Sequence, residues 1–428
     1  AEDGIRDYKV TGVQTCALPI SSTRLSLYRS VFSTLDTGDT PYILGKVVLS
    51  NHSPIRMESI LPLAAFVACP LLITALCTPL VKRLAWALDL VDRPASADHK
   101  SHTQPTPYGG ALAMALGLSI GLFVCVPSLI VELPTFLAST NAAWPLSSAW
   151  LGGEFLRQSE QLTSFLACGM ALFLLGLIDD WRGMTPLVRL LAQLAFISLL
   201  IYTQPAFRLD LLPTVPLLNA VLSVVWIGAM TNAFNFLDNM DGLSAGIGAI
   251  CLVLLAFAAL LAGEPGIAVV CLMSFGACCG FLLFNLPPAS IFMGDAGGLF
   301  LGYATSAIAA YLSQTYSFAS LQPALQWAPL LILAVPIYDF LSVNFLRIKS
   351  GRAPWIGDKN HISHRLVRLG FSRRGAVLLI YLLTALSGLP SLLCAQPAGN
   401  TVWLWCTPLA LAMLALADAY SYRPLENS

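Results

Sequence analysis

Charge is scarce in this sequence: only 11% of its 428 residues are Asp, Glu, Lys or Arg, and the formal net charge is zero. A chain with no basic excess carries no electrostatic footprint for DNA or RNA, so nucleic-acid partners are not expected. Paired CxxC spacings are also missing. Most of the 11 cysteines, among them Cys69, Cys125, Cys251 and Cys278, stand inside apolar runs, where a free thiol behaves as a small hydrophobe rather than as half of a disulfide or a metal site. The polar and apolar alternation of barrel strands is absent. So is any internal repeat of fixed period, the mark of many transporters built from inverted halves.

Hydrophobicity is abundant instead: 57% of the residues are hydrophobic, and the mean hydropathy is +0.74. Crossing the hydrocarbon layer takes about 20 apolar residues in a helix. Runs of that kind centre on residues 58–80, 109–132, 162–178, 187–203, 214–230, 243–262, 267–284, 297–313, 326–346, 376–394 and 402–419. The expected fold is therefore an all-α polytopic integral membrane protein of about 11 transmembrane helices. From Met57 onward, one set of alternating loops and the C-terminal tail holds 15 Lys and Arg, against only Arg157 and Arg208 in the other set. Basic residues are retained on the cytoplasmic side, which predicts an N-terminus outside and a C-terminus inside.

Residues 1–56 do not fit this pattern. They are polar, hold no span and lack the basic start, apolar middle and small-residue cleavage site of a signal peptide. The opening AEDGIRDYKVTGVQTCALPI resembles a translated sequencing adapter, so Met57 is expected to be the true start and 1–56 a non-native or disordered extension.

Carboxylates recur where the long apolar runs meet water: Asp179 and Asp180, Asp238 and Asp241, and Asp295. A charged side chain at the bilayer centre costs about 2.5–3.5 kcal/mol on insertion scales, and less at the interface. Their clustering on the predicted cytoplasmic ends points to one shared polar site. In LGLIDDWRGMTP the adjacent Asp179 and Asp180 point about 100° apart on a helix, so one faces the site while the other positions a neighbour. In TNAFNFLDNMDGLSAG the residues Asn232, Asn235, Asp238 and Asp241 repeat every three positions, a strip of amides and carboxylates along one side of a helix. In NLPPASIFMGDAGG, Asp295 sits at a helix start, where it caps the helix or holds a cation bridging to phosphate. Phe292 lies three residues before it, placed to stack on a base or to touch lipid.

Two more loops on the same side are basic. DRPASADHKSHTQPTPYGG, residues 92–110, carries Lys100 between His99 and His102, a topology marker or a ligand for phosphate or a uridine base. The loop containing DKNHISHRLVR concentrates eight basic residues with His361 and His364 at helical spacing. No cysteine or carboxylate set accompanies these imidazoles at zinc spacing, and phosphate binding, with Arg365 beside them, is the expected role.

The IDD helix end, NAFNFLDNMDGLSAG, FMGDAGG and the HISH segment, in this order over about residues 58–394, together resemble the polyprenyl-phosphate N-acetylhexosamine-1-phosphate transferases. That resemblance implies that 57–428 is one transmembrane domain. It implies transfer of a sugar 1-phosphate, most readily GlcNAc 1-phosphate, from a UDP-sugar to undecaprenyl phosphate, with UMP leaving, at the cytoplasmic face of a bacterial inner membrane. By motif match Asp179 and Asp180 fall near the lipid phosphate, Asp295 (with Asp180) on Mg2+ or Mn2+, and Asn235, Asp238 and Asp241 on the nucleotide sugar. Phe292 and Lys100 fall near the uridine, and His361 and His364 in the histidine motif. A homodimer is also implied. Ser363 departs from the motif of the GlcNAc branch, where an imidazole stands. The muramoyl-pentapeptide branch is the alternative within the family, and a secondary transporter, with acids at the membrane midplane, the alternative outside it.

Overall fold

The computed structural model describes residues 57–93, 105–131, 158–212, 214–319, 323–353 and 359–394, with a few positions between 405 and 415. The proposed extension 1–56, Lys100 with its two flanking histidines, and most of the expected span 402–419 lie outside the described residues. Among the described residues the protein is a helical membrane bundle. Its long helices are α1 (Met57–Ala87), α2 (Gly110–Val131), α3 (Ser159–Arg182), α4 (Pro186–Thr203), α5 (Pro216–Leu237), α6 (Leu243–Leu261), α7 (Pro265–Asn285) and α8 (Asp295–Ala319). Then come the short α9 (Ala328–Leu331), α10 (Ala334–Lys349), α11 (Ile362–Arg368) and α12 (Arg373–Cys394).

Eight of these helices are long and apolar enough to cross a membrane, or up to nine if one bent pair is a single span. One difference from the sequence expectation has a local cause. The run 326–346 is not one straight helix; α9 and α10 meet at 69°. Pro336, in the first turn of α10, carries a ring that collides with the carbonyl of residue 332 if the helix continues backward, and it offers no N–H there.

The helix that organises the bundle is α8. In its most apolar stretch 94% of residues are buried, against 22% for α4, so α8 is the axis and α4 part of the lipid-facing wall. Without a hydrophobic drive between helices in lipid, close approach rests on small residues and interhelical hydrogen bonds. Gly302 of α8 lies so near α5 that an added Cβ would stand 2.5 Å from the Met230 carbonyl oxygen and 2.6 Å from the Thr231 Cα. Gly176 of α3 is pressed equally hard against Asp295 and Ala296 at the start of α8. The Tyr303 hydroxyl donates to the Phe165 carbonyl at 2.8 Å and the Trp226 indole to the Ser306 carbonyl at 3.1 Å, locking α3 and α5 to opposite flanks of α8.

At the end of the bundle where α8 begins, Val91–Asp92 pairs antiparallel with Thr106–Pro107. The Phe292 amide donates to the Pro107 carbonyl at 2.8 Å, and the Gly110 amide to the Phe292 carbonyl at 2.9 Å. The stem of the Lys100 loop and the loop leading into Asp295 are thus one hydrogen-bonded unit.

Because the α5–α8 contact has no room for a methyl group, Gly302→Ala is expected to destabilise the protein by about 1–3 kcal/mol, the usual cost of overpacking. Thermal unfolding in detergent, compared with a control Ala substitution at the exposed Leu283, measures it. An unchanged midpoint would show that α5 and α8 separate freely.

Candidate active site

The two adjacent aspartates of α3 diverge as helical geometry requires. Helix α3 runs on to Arg182, so neither residue is released by fraying. Asp180 turns toward α8: its Oδ1 accepts from the Asp295 amide at 2.8 Å and its Oδ2 from the Ala296 amide at 3.2 Å. The helix start that the sequence assigns to Asp295 is therefore capped by Asp180 from another helix, a position favoured by the partial positive charge of the first amides. Gly294, with φ +83°, makes the turn beneath it, and a Cβ there would sit 2.6 Å from Asp180 Oδ2.

With its amide held, Asp295 is left to act through its side chain. Oδ1 accepts from Asn235 at 2.7 Å, and Oδ2 from the Arg189 guanidinium at 2.8 Å. The same Arg189 nitrogen reaches Asp179 Oδ2 at 2.6 Å, while Asp179 Oδ1 accepts from the Met184 amide at 2.6 Å. One arginine on α4 thus joins the ends of α3 and α8. Charge and hydrogen bond act together in such contacts, which makes them stronger than neutral ones.

The strip of α5 is shorter than its spacing suggests. The helix ends at Leu237, so Asp238 is its first residue beyond and Asp241 lies in the following turn, which closes on Gly242 at φ +76°. Asp241 accepts from the Ala289 amide at 2.9 Å, and Asn232, one turn deeper than Asn235, donates to Gln193 of α4 at 2.8 Å. Asp238 is half-buried among like charges. Burial first, then Asp295, Asp180 and Asp241, push its carboxyl up to about 8. Asp238 thus feels Asp180 and Asp295, and Arg189 bonds Asp179 and Asp295 in the same cluster.

Phe292 is half-buried and pairs with Tyr108, ring centroids 6.1 Å apart and tilted by 52°. Burial and then the negative charges of Asp92, Asp180 and Asp295 push the Tyr108 phenol well above its ordinary range, so it stays a neutral donor and reports proximity to the acidic cluster.

The histidine segment approaches from the other side of α5. His361 is not on a helical face shared with His364; it precedes α11 and is buried. Its Nδ1 lies 2.7 Å from Asp339 Oδ2, and Asp339 Oδ1 accepts from the Ile362 amide at 2.7 Å. Arg347, buried, lies 3.4 Å from His361 Nε2 and 5.2 Å over the Phe236 ring. Ser363, where the motif lacks an imidazole, donates to Asn239 Oδ1 at 2.6 Å and so fastens the segment to the turn carrying Asp238 and Asp241. Arg365 is buried and donates to Ser342 at 2.7 Å. His364 is half-buried, and burial, followed by the neighbouring His361 and the cations Arg368, Lys359 and Arg373, lowers its imidazole to about 4.

Arg189, Asp339, Arg347 and Tyr108 belong to this constellation without having been singled out in the sequence. For Asp339 a signal exists: it is an acid inside the run 326–346, where a carboxylate needs a reason. Arg189 and Arg347 are indistinguishable there from markers of membrane orientation.

Integral-membrane transferases that work on polyprenyl phosphates are the class that this bundle and its acidic end define, and the comparisons agree. The description of glycosyl transferase family 4 matches residues 162–313, which include Asp179, Asp180, Asp238 and Asp295. A Bacillus subtilis protein named "Probable undecaprenyl-phosphate N-acetylglucosaminyl 1-phosphate transferase" is 31% identical over 343 residues, covering 78% of this chain and 84% of that protein. The decaprenyl-phosphate N-acetylglucosaminephosphotransferase of Mycolicibacterium smegmatis is 32% identical over 378 residues, covering 82% and 86%. The undecaprenyl-phosphate alpha-N-acetylglucosaminyl 1-phosphate transferase of Escherichia coli K12 is 28% identical over 237 residues, covering 52% and 62%. This chain belongs to glycosyl transferase family 4.

Two outcomes follow. Arg189→Gln leaves Asp179 and Asp295 without their shared cation and is expected to cost about 1.5–3 kcal/mol of stability, the range for hydrogen bonds to charged groups. Arg189→Lys, which keeps the positive charge, is expected to recover part of it. Thermal unfolding of both variants checks this, and equal midpoints for wild type and Gln would refute it. For His364 the folded value, about 4, lies below the ordinary 6.5. Between these the unfolded chain binds a proton that the folded one does not, so stability falls as pH drops through that window. His364→Gln is expected to flatten that part of the Tm–pH curve; an unaltered slope would count against it.

Proposed function

We propose that the protein transfers GlcNAc 1-phosphate from UDP-GlcNAc to undecaprenyl phosphate, releasing UMP, at the cytoplasmic face of a bacterial inner membrane. The single observation that carries the reading is the convergence of Asp179, Asp180, Asp238 and Asp295, from three helices, on the end of α8 around Arg189. The names of the relatives supply the acceptor and sugar classes. The excess of Lys and Arg in the loops at this end supports its cytoplasmic placement.

Phosphoryl transfer is catalysed chiefly by positioning and by stabilising charge. The donor set at Asp295 and Asp180 is all oxygen, the kind that suits Mg2+, and each carboxylate oxygen keeps lone-pair capacity beyond the bonds it now accepts. Asp295 and Asp180 would hold such an ion, with substrate oxygens completing its shell. Bound Mg2+ supplies neutralisation of the diphosphate and of the departing UMP.

The chain's own residues do the rest. Arg189 offers a cation between Asp179 and Asp295 to approaching phosphate oxygens. Asp179, engaged by Arg189 and the Met184 amide, is an orienting group that aims the guanidinium. The acceptor phosphate oxygen attacks the phosphorus bearing the sugar; the new O–P bond forms as the bond to UMP breaks. Asn235 in the last turn of α5 and Asp238 just beyond it face the donor sugar. Phe292 with Tyr108 forms an aromatic edge for uracil, and the histidine segment closes the far side through Ser363 and Asn239.

Purified protein in nanodiscs, given UDP-GlcNAc, undecaprenyl phosphate and Mg2+, is expected to release UMP. UDP-GalNAc and UDP-MurNAc-pentapeptide are expected to react more slowly. Asp295→Asn and Asp180→Asn each lower the rate on the order of 10²-fold or more, the scale of losing one preorganised electrostatic group. Nucleotide-sugar uptake without UMP release would overturn the proposal in favour of a transporter.

A further inference from the structure

Helix α12 is apolar over Arg373–Leu393, 21 residues, which as a helix measure about 30 Å, the thickness of the hydrocarbon layer. Its first turn therefore stands at head-group level, and residues 369–372 just before it lie at the membrane surface. That connection is stiff. Gly370, with φ +98°, ends α11: its amide donates to the Val367 carbonyl at 3.0 Å, and the Phe371 amide donates to the Leu366 carbonyl at 3.2 Å, the paired bonds of a glycine-terminated helix. Two residues after the glycine, the Ser372 hydroxyl caps α12 by accepting from the Gly375 amide at 3.1 Å.

Between these two caps, Leu369 and Phe371 remain 53% and 45% exposed. At a helix end of this type the residue after the glycine commonly folds its side chain back on the last turn; here Leu366 is already buried and Phe371 is left outside. Cations surround the pair. Arg368, Arg373 and Arg374 are exposed, and Lys359, Arg368 and Arg373 are all close enough to act on His364. Arg374 begins the exposed stripe that Leu378, Leu382 and Leu386 continue at four-residue spacing along α12. The partial positive charge of a helix start disfavours two arginines in the first turn, and a negative group beside them relieves it. Apolar side chains exposed among cations at this level match one kind of surface, hydrocarbon beneath negatively charged phosphate.

We infer that residues 368–374 form a docking surface for the head groups of anionic phospholipids, with Leu369 and Phe371 in the edge of the hydrocarbon and the arginines on the lipid phosphates. The occupant is a bilayer lipid, and not the nucleotide donor, because the apolar pair and the leucine stripe share the surface with the cations. This surface is joined to the site by three contacts. Arg374 donates to the Pro287 carbonyl at 2.8 Å, in the loop leading to Asp295. Tyr381, two turns further along α12, donates to the Gly242 carbonyl beside Asp241. Helix α11 carries the histidine segment at its other end. An anionic lipid that steadies residues 368–374 therefore steadies three walls of the acidic end. The docking surface stands without the transferase reading; its effect on turnover rests on that reading.

The test places the full chain in nanodiscs of phosphatidylcholine, with or without phosphatidylglycerol, and cross-links it to phosphatidylglycerol carrying a photoreactive head group. Label is expected on peptides spanning 366–376, suppressed by unlabelled phosphatidylglycerol and not by phosphatidylcholine or UDP-GlcNAc. Arg373→Gln and Phe371→Ser, both at exposed positions, are expected to reduce it, the first roughly fivefold, the scale of one basic side chain at an anionic surface. Phosphatidylglycerol is also expected to slow amide exchange in residues 238–242 and 286–290 of the wild type, and to do so less in both variants. Equal suppression by phosphatidylcholine would make the turn an ordinary lipid contact, and suppression by UDP-GlcNAc would give the arginines to the donor. Either result overturns the inference, as does label elsewhere or exchange that is indifferent to the lipid. UMP release is expected to rise with phosphatidylglycerol in the wild type and to respond less in the variants. Absence of release in both lipids would defeat the transferase reading alone, because cross-linking and exchange decide the surface without turnover.

Discussion

The two hydrogen bonds from the first amides of α8 to Asp180 fix where everything else stands. A helix that begins inside a bundle exposes amides with no partners in their own helix, and a carboxylate from α3 satisfies two of them at 2.8 and 3.2 Å. Had Asp295 capped its own helix, its side chain would have been turned back on the backbone. Because Asp180 takes that task, Asp295 extends outward to Asn235 and Arg189. The pairing of neighbouring aspartates at the end of α3 then has a physical sense: on adjacent helical positions one can hold the neighbouring helix while the other holds the arginine.

Such a cluster is costly to assemble in a membrane protein, and the surrounding packing offsets the cost. Four acids and one arginine do not balance, and burial together with the neighbouring acids pushes the carboxyl of Asp238 up to about 8. The close contacts of Gly176 and Gly302 keep α3 and α5 against α8, so the carboxylates cannot relax apart. Side-chain hydrogen bonds to backbone carbonyls deeper in the bundle, from Tyr303 and Trp226, work to the same end. Rigidity of this kind is what electrostatic preorganisation requires: groups held where charge will appear, before it appears.

Much of this was legible in the sequence, and its failures are instructive. Apolar runs near 20 residues located the long helices because the bilayer imposes that length. The acids located the site because lipid penalises charge that has no use. Three-residue spacing misled twice. It placed Asp241 on the helix of Asn235 and His361 on the helix of His364, whereas α5 stops at Leu237 and α11 starts only at Ile362. Periodicity continues on paper past a helix end, and neither boundary carries a proline or glycine at the stopping residue to announce it. Arg189 escaped because a basic residue beside a span has an ordinary explanation in membrane orientation. Only its position between two carboxylates separates it from the others.

The histidine segment shows how a missing group can be replaced by a different kind of attachment. An imidazole at position 363 would bring a second ring close to His361; Ser363 brings a hydroxyl that donates to Asn239. Two anchors therefore hold the segment, Asp339 on the α10 side through His361 and the Ile362 amide, and Asn239 on the α5 side through Ser363. Both are short and buried or partly buried, so the start of α11 is held to two different elements. The turn carrying Asp238 and Asp241 is fixed by the same contacts. In this arrangement His361, with Asp339 on one ring nitrogen and Arg347 near the other, acts on the site by holding its wall in place, while the lowered His364 stays neutral and half-buried beside it. The basic loop thereby contributes structure as well as positive charge to the acidic end of the bundle.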